Sequence, residues 1–407
     1  MKILHLLSQH PEATGSGVTL LNIIREAAAF GHENFLVAGV SDRQPRPLAG
    51  VAPDRCRFIR FGGGDLDFTI PGMSDIMPYP SSRFGELTTV QLEAYERVFA
   101  ETIRSVVDRF APDLIHSHHL WLATAVTRKL FPAVPLVTSC HSTDLRQFVS
   151  CPHLQERVLP YCRQINRVLA LSDDQAKKIT ALYGIDSERI DVVGGGFNDA
   201  LFCYSEKPPA PPVEMLYAGK LSYAKGVDWL LRTVAGLKED NVHLHIVGSG
   251  SGREATTCQE LAGKLEQVVT MHGRLDQGQL ARLMQRCHLF ILPSFYEGLP
   301  LVLLEALACG CRLIATDLPG CRELLAGVPE DVAALVNLPT MRQIDQPDPE
   351  DWPLLERRLA EAIGGMVKLA CRRSSPRMAG SLQTISMYRW SEVFGRMEKN
   401  YRQALTG

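Results

Sequence analysis

No apolar run in this chain approaches the about 20 residues that a membrane-spanning helix needs. Neither sign of charge is in excess: 43 Lys and Arg stand against 45 Asp and Glu, a net of −2. That balance argues against a general nucleic-acid binder, which needs a basic face for phosphate. There is no C-x-x-C pair, and the eleven cysteines are scattered and odd in number. A disulfide framework and a cysteine zinc site are thereby disfavoured, and reduced thiols in a cytoplasm are expected. The first residues, MKILHLLSQHPEATGSG, have only Ile3–Leu7 as an apolar stretch, broken by His5. They read as a first strand and not as a secretory signal. Low-complexity tracts and solenoid-period repeats are also missing.

What is present is a globular composition, 45% hydrophobic and 22% charged over 407 residues, enough for two domains. Short apolar runs alternate with helical stretches. Candidate strands in the first half are Ile3–Leu7, Asn34–Gly39, Leu114–Ser117, Pro135–Ser139 and Arg167–Leu171. Candidate helices there include 18–30, 90–110 and 175–183. The second half repeats the alternation, with strands at 215–218, 243–247, 268–272, 289–292 and 312–315 and helices at 226–237, 252–265, 277–286 and 301–309. Such alternation predicts an α/β protein: two Rossmann-like domains, each a parallel sheet covered on both faces, around a cleft. Pro208, Pro209, Pro211 and Pro212 form a stiff connector. The expected division is 1–207 and 208–385, with a terminal helix at 386–407.

The most informative segment is FILPSFYEGLPLVLLEALACG, which places Glu297 and Glu305 with seven residues between them around a Gly–Leu–Pro turn. A strand, a Gly/Pro loop and a helix put the turn at the carboxyl edge of a sheet, where open α/β folds bind ligands. Pro300 suits a first helical turn, and the amides after it favour a phosphate. Glu305 lies among Leu303, Leu304, Ala306 and Leu307, so its carboxylate needs a partner. An anion beside two acidic hydrogen-bond acceptors describes a sugar nucleotide.

Other loops follow strands in the same way. LYAGKLSYAKGVDWLL carries Lys220 and Lys225, two ammonium groups able to neutralise a diphosphate, although loop lysines are commonly just solvated. TGSGV carries Gly15 and Gly17, which allow close backbone approach to a phosphate or simply make a turn. Leu20 stands where a dinucleotide fingerprint has its third glycine, which disfavours a nicotinamide oxidoreductase. PDLIHSHHLWLAT ends a strand with His116, His118 and His119; H-x-H-H without an adjacent acid or cysteine is poor metal-ligand spacing, and no metal is expected. VTSCHSTDLRQF brings His141, Thr143 and Asp144 to another strand end, facing an acceptor or closing a turn.

These motifs together resemble the retaining glycosyltransferases of family four, with their GT-B fold and E-x7-E signature. The resemblance spans nearly the whole chain and is strongest in the second half. It implies that Lys220 and Lys225 clamp the donor diphosphate, although Lys220 stands where Arg is commoner and lacks the planar fork. Gly15 and Gly17 would face the same diphosphate with the amides of Leu301 and Val302. His118, Glu297, Gly298, Leu299 and Pro300 would meet the donor sugar, with His118, Lys225 and Glu297 catalytic. The backbone near Arg274 and Leu275 would hold the nucleobase and Glu305 the ribose. His141, Thr143, Asp144 and Arg83 would lie on the acceptor side. Ser142 replaces the family's glycine in H-G-T-D, VVGGGFNDALF departs from P-N-G-V-D, and His119 takes a place usually acidic or aromatic. Tyr388, Trp390 and Tyr401 mark the terminal helix that crosses back to the first domain.

The implied activity is a metal-independent, retaining transfer of a sugar from a nucleotide-diphosphate sugar, UDP- or GDP-linked, with no cofactor. The acceptor is a hydroxyl on a small molecule, a glycan or a lipid-linked glycan. The Gly- and Pro-rich loop at 61–84 is expected to shape the acceptor pocket. Arg372, Arg373 and Arg377 allow at most peripheral membrane contact. A GT-B epimerase and a non-catalytic nucleotide-sugar-binding module are the alternative readings.

Overall fold

The computed structural model describes residues 1–407 apart from 13, 42–47, 75–76, 238–240, 342–346, 377–378 and 407. Arg377 and part of the 61–84 loop thus lie outside the described residues. The chain divides into two compact units, Met1–Gly195 with Trp390–Gly407, and Gly196–Arg389.

The first unit holds a seven-stranded parallel sheet. Its strands are β1 (Lys2–Leu7), β2 (Glu33–Val40), β3 (Cys56–Arg60), β6 (Leu114–His118), β7 (Leu136–Ser139), β8 (Arg167–Ala170) and β9 (Ile190–Val192). The sheet order is β3-β2-β1-β6-β7-β8-β9. The two-residue strands β4 (Pro71–Gly72) and β5 (Ser82–Arg83) pair separately within the 61–84 stretch. Helices α1 (Gly15–Ala29), α2 (Thr89–Phe110), α3 (Leu122–Leu130), α4 (Ser142–Ser150), α5 (Gln155–Cys162) and α6 (Asp173–Tyr183) complete the crossovers. Successive strand residues face opposite ways. Leu4 and Leu6 therefore join Phe35, Ile115 and Phe99 in one core, while Ile3 joins Leu114, Val137, Trp390 and Tyr401 in another.

The second unit repeats the design with β10 (Val213–Ala218), β11 (Val242–Val247), β12 (Val269–Gly273), β13 (Leu289–Leu292), β14 (Arg312–Thr316) and β15 (Ala333–Val336), all parallel, in the order β12-β11-β10-β13-β14-β15. Helices α7 (Val227–Ala235), α8 (Gly252–Gly263) and α12 (Trp352–Arg372) cover one face. The other face is covered by α9 (Gln277–Arg286), α10 (Leu301–Ala308), α11 (Pro319–Leu325) and α13 (Ala379–Ser386). The last helix, α14 (Trp390–Thr406), belongs to the first unit, where the Tyr401 hydroxyl lies 2.8 Å from His116 Nδ1.

In each sheet the strand order reverses once, between β1 and β6 and between β10 and β13. Crossovers leave in opposite directions there, so a crevice opens beyond the carboxyl ends of those two strands. In the first unit Gly15 opens the helix after β1 and His118 ends β6; in the second the loops after β10 and β13 carry Lys225 and Glu297. Sheet order therefore collects the residues that the sequence picks out one loop at a time.

Two differences from the sequence reading have physical causes. The boundary falls at Gly195–Gly196, twelve residues before the expected one, because the proline stretch is bound to the second unit. Lys207 is buried, and its ammonium donates to the carbonyls of Met284 at 2.6 Å, Gln285 at 3.2 Å and Cys309 at 2.8 Å. Those carbonyls end α9 and α10 and have no partner within their helices. Helix α12 carries no expectation from the sequence and has Gly364 and Gly365 in its middle, yet its buried stripe of Leu355, Leu359, Ile363, Met366 and Ala370 outweighs their low propensity.

Replacing Lys207 by Met strands the buried Cys309 carbonyl, at about 1–3 kcal/mol, and leaves the Met284 carbonyl only the Cys311 thiol at 3.1 Å. The urea midpoint of the second unit should fall accordingly; an unchanged midpoint contradicts the anchoring role.

Candidate active site

In the second unit the loop after β10 folds into a short turn, Tyr223–Lys225, that ends at Gly226 with φ +64°. A Cβ at Gly226 would lie 2.0 Å from the carbonyl oxygen of Pro293, just past β13. Only glycine permits that approach. The amide of Phe295 then donates to the Ala224 carbonyl at 2.9 Å, locking the two loops together. Trp229 and Phe295 stack beneath them, centroids 5.4 Å apart at 19°. As a result Lys225 Nζ donates to Glu297 Oε1 at 2.7 Å, and Ser294 Oγ donates to the same oxygen at 2.7 Å. Both donors use one oxygen, so neither occupies the lone pairs of Glu297 Oε2. The pair is only partly exposed, Lys225 at 28% and Glu297 at 13%. Ser294 carries no sequence signal for this task. Lys220 is exposed on the same loop.

Past Glu297 the backbone turns sharply. The Leu301 amide donates to the Leu299 carbonyl and that of Leu303 to the Pro300 carbonyl, both at 3.0 Å. The Leu301 amide expected to line a phosphate is therefore already engaged, whereas Leu299 and Val302 have no such acceptor among the described residues. Gly320 at the start of α11 holds this turn: a Cβ there would sit 1.8 Å from the Gly298 carbonyl oxygen. Glu305 lies one turn into α10, partly buried. Burial alone pushes its carboxyl up from 4.5 to about 8. No lysine or arginine pairs with it, so the partner demanded by its surroundings is not supplied by the described protein. Arg274 and Leu275 follow β12, two strands away from β10; Arg274 is exposed and Leu275 packs against the apolar cluster around α9 and α10.

In the first unit, Gly15 and Gly17 open α1. Gly15 is exposed, and Gly17 fits so tightly that a Cβ would meet the Pro11 carbonyl oxygen at 2.3 Å. Thr14 Oγ1 caps the helix by accepting from the Gly17 amide at 3.0 Å. Ser16 Oγ lies 3.1 Å from Thr14 Oγ1 and 3.0 Å from His119 Nε2. His119 Nδ1 lies 2.7 Å from Asp144 Oδ1. Asp144 Oδ2 accepts from the amides of Leu120 and His141, both at 2.8 Å. Asp144 is fully buried. Desolvation acts to raise its pKa, but His119, His141 and their hydrogen bonds outweigh it and hold the carboxyl below its usual range. Its carboxylate therefore faces inward and fixes the two loops after β6 and β7, reaching Ser16 only through His119, in contrast to the acceptor-facing position expected for it. The segment H-S-T-D forms no isolated turn; it opens α4, with Asp144 completing a capping box on His141. His119, whose role the sequence leaves open, adopts φ +77°, a conformation costly for a side-chain-bearing residue. Asp144 and Ser16 hold it there. The sequence singles out His119 but not its bond to Ser16, because that contact joins residues 103 apart in sequence.

His118 ends β6, buried, with no hydrogen-bond partner at either ring nitrogen among the described residues. It lies against His116, centroids 4.5 Å apart, and stacks on His141 at 5.9 Å and 23°. Burial, then the neighbouring imidazoles, keep its pKa well below the ordinary histidine value, so it is neutral. His141 is partly buried and pushed down to about 3, chiefly by burial. Thr143 is partly buried nearby. Arg83 is well apart in sequence, exposed on β5, and pairs with Glu86 at 3.4 Å.

Known proteins resemble the chain along most of its length. The model of the family described as Glycosyltransferase Family 4 matches residues 13–201, and that of Glycosyl transferases group 1 matches 212–339. A glycogen synthase of Mycobacterium tuberculosis is 30% identical over 361 residues, which is 82% of this chain and 84% of that protein. The structure of a sucrose-phosphate synthase from Thermosynechococcus elongatus superposes with a TM-score of 0.71 at 20% identity, covering 100% of both chains. That of Anabaena HepE in complex with UDP gives a TM-score of 0.62 at 17% identity, covering 99% of this chain and 100% of that one. Among the described residues, no helix is long and apolar enough to cross a membrane.

A pH prediction follows from Glu305. Between pH 4.5 and about 8 the folded chain holds a proton that the unfolded chain releases. Its contribution is intact below pH 4.5 and is lost as pH rises through about 8. Glu305→Gln should melt close to the parent near about pH 4 and progressively above it towards about pH 8, by about 2–4 °C for each kcal/mol of the lost contribution in a unit of this size. Equal melting at both pH values contradicts the burial argument.

Proposed function

This chain belongs to the family-four glycosyltransferases, and from that premise we propose that it is a retaining enzyme that moves a sugar from a nucleoside diphosphate to a hydroxyl acceptor without a metal in the reaction. The observation that carries this reading is the Lys225–Glu297 pair, locked at the reversal of the second sheet, with Glu305, unpaired among the described residues, one turn into α10.

The chemistry assigned to each group follows from its surroundings. The ammonium of Lys225 has two further N–H donors beyond its bond to Glu297. With Lys220 it would take up the negative charge that grows on the diphosphate as the anomeric C–O bond breaks. The amide of Val302 would add a fixed dipole at the start of α10. Glu297, held by Lys225 and Ser294, offers its second oxygen to a sugar hydroxyl beside Gly298, Leu299 and Pro300. Glu305, mostly protonated near neutrality, can both give and take a hydrogen bond, which suits the two hydroxyls of a ribose. Nucleobase contacts would come from the backbone at Arg274 and Leu275. Neutral His118 can accept or donate a hydrogen bond to a donor sugar without competing for charge, and Gly15 leaves room for a phosphate. Asp144 and His119 position the loops of the first unit. His141 and Thr143 would meet the acceptor, with Arg83 available to an anionic group on it.

No carboxylate is identified as a nucleophile of the kind used in the two-step route of retaining hydrolases. Retention is instead assigned to a front-face displacement. The acceptor oxygen bonds the anomeric carbon as the diphosphate oxygen leaves, and the acceptor's proton passes to that phosphate oxygen. The products are the glycoside and a nucleoside diphosphate.

Lys225→Ala and Glu297→Ala should each lower kcat by about 10²–10³-fold, the usual cost of removing one preorganised contact to developing charge. Undiminished transfer in both, and in His118→Ala, would refute the assignment. In a thermal-shift panel of UDP-, GDP- and ADP-sugars, one nucleotide should stabilise the parent at 100 Kd by about 2.7 kcal/mol. No stabilisation by any of them contradicts a donor site.

A further inference from the structure

His5 and His116 are register partners on neighbouring strands β1 and β6, and His118 follows two residues on. One ring nitrogen from each of the three lies within 4.8 Å of the others, and all three side chains are buried. The hydrogen bonds around them define the lone pairs. Asn34 Nδ2 donates to the carbonyls of Ile24 at 3.1 Å and Gly50 at 3.0 Å, so its Oδ1 is the acceptor facing His5 Nε2 at 3.1 Å. The proton of His5 is therefore on Nε2, and Nδ1 carries a bare lone pair with no partner. Neutral His118 likewise holds one bare lone pair and one unused N–H. His116 is oriented by the Tyr401 hydroxyl at 2.8 Å from Nδ1 and Ser139 Oγ at 2.9 Å from Nε2. Buried polar atoms are nearly always satisfied, so this cluster is incomplete as it stands.

We propose that His5, His116 and His118 form a binding site for one borderline divalent transition-metal ion, with Zn²⁺ as the type case. The donors are all imidazole nitrogens, a set that suits zinc, copper or nickel and not the oxygen-seeking magnesium, calcium or manganese. A tetrahedral ion with Zn–N of about 2.0–2.1 Å draws its ligand nitrogens to about 3.4 Å apart. Ring rotation closes the remaining gap, and His116 gives up either Ser139 or Tyr401. Its other contact stays, as does Asn34 on His5; both then act as the outer hydrogen bonds that orient a ligating imidazole. The fourth position is left to a water or an anion. H-x-H-H is poor ligand spacing along one segment, but sheet order supplies the third ligand from β1. An ion bound here takes the lone pair of His118 and leaves only its N–H for a donor sugar, so the ion competes with the acceptor role of that ring.

The test uses the full chain stripped with a chelator. Calorimetry with Zn²⁺ should give one site per chain, Co²⁺ should give the intense visible bands of tetrahedral coordination, and Mg²⁺ should give no heat. His5→Gln and His118→Gln should each weaken Zn²⁺ binding by at least about tenfold. Either variant decides the matter if the other fails to fold. His245→Asn and Cys203→Ser with Cys371→Ser, which remove the partly exposed histidine group of the second unit and the exposed thiols, should leave it unchanged. Absence of a stoichiometric site in the parent overturns the proposal. So does binding that survives both histidine substitutions in the first unit, or that disappears with His245 or the two cysteines.

Discussion

One close approach organises the second unit: the backbone of Gly226 against the carbonyl of Pro293. Strands β10 and β13 are neighbours in the sheet although two strands separate them in the chain. Their loops would diverge if any side chain stood at Gly226, because its Cβ would come within 2.0 Å of a carbonyl oxygen. With no side chain there, the two loops share a hydrogen bond, and Lys225 reaches Glu297. A buried or half-buried charge pair adds little net stability by itself. Its value is positional, since it presents a cation and a carboxylate oxygen in fixed directions at a sheet edge. Preorganisation of that kind is what electrostatic catalysis requires.

The first unit reaches order by another route. Its reversal point is built from histidines and one buried carboxylate in place of a charge pair at the surface. Asp144 accepts from two amides and faces His119 Nδ1, and His119 in turn holds the serine between the two glycines of the α1 loop. The strained backbone of His119 is tolerated because these contacts over-determine it. Charge is thus kept inside, and the neutral ring of His118 is left at the strand end. The same face carries the unfilled nitrogens of His5 and His118, which gives this region more ligand-binding capacity than sugar transfer alone requires.

Much of this was legible in the sequence, and the reasons are local. Apolar runs and helix signals marked most strands of both sheets, since parallel strands are buried on both faces and read as continuous hydrophobic stretches. Lys225, Glu297 and Glu305 stood out because charged groups beside glycine or inside an apolar helix need an explanation. What stayed hidden depends on sheet order or on contacts far apart in the chain. Ser294 looks like any serine until Glu297 folds back on it. His5 looks like an interruption of a strand until β1 lies beside β6. The H-S-T-D segment reads as a strand end facing outward, and only the capping box turns Asp144 inward. Four prolines read as a stiff connector at the domain boundary, while one buried lysine, Lys207, ties them to the ends of α9 and α10.

The central claim is that a donor's diphosphate binds at the reversal of the second sheet. A crystal structure of the chain soaked with UDP, GDP or ADP tests it most directly. The account predicts phosphate oxygens within hydrogen-bonding distance of Lys225 Nζ and the Val302 amide, with the ribose hydroxyls on Glu305. A nucleotide seated elsewhere, such as the groove of about 520 Å³ lined by Gln259, Glu266 and Met271 beside α8 and β12, with the Lys225–Glu297 loops left bare, would contradict it.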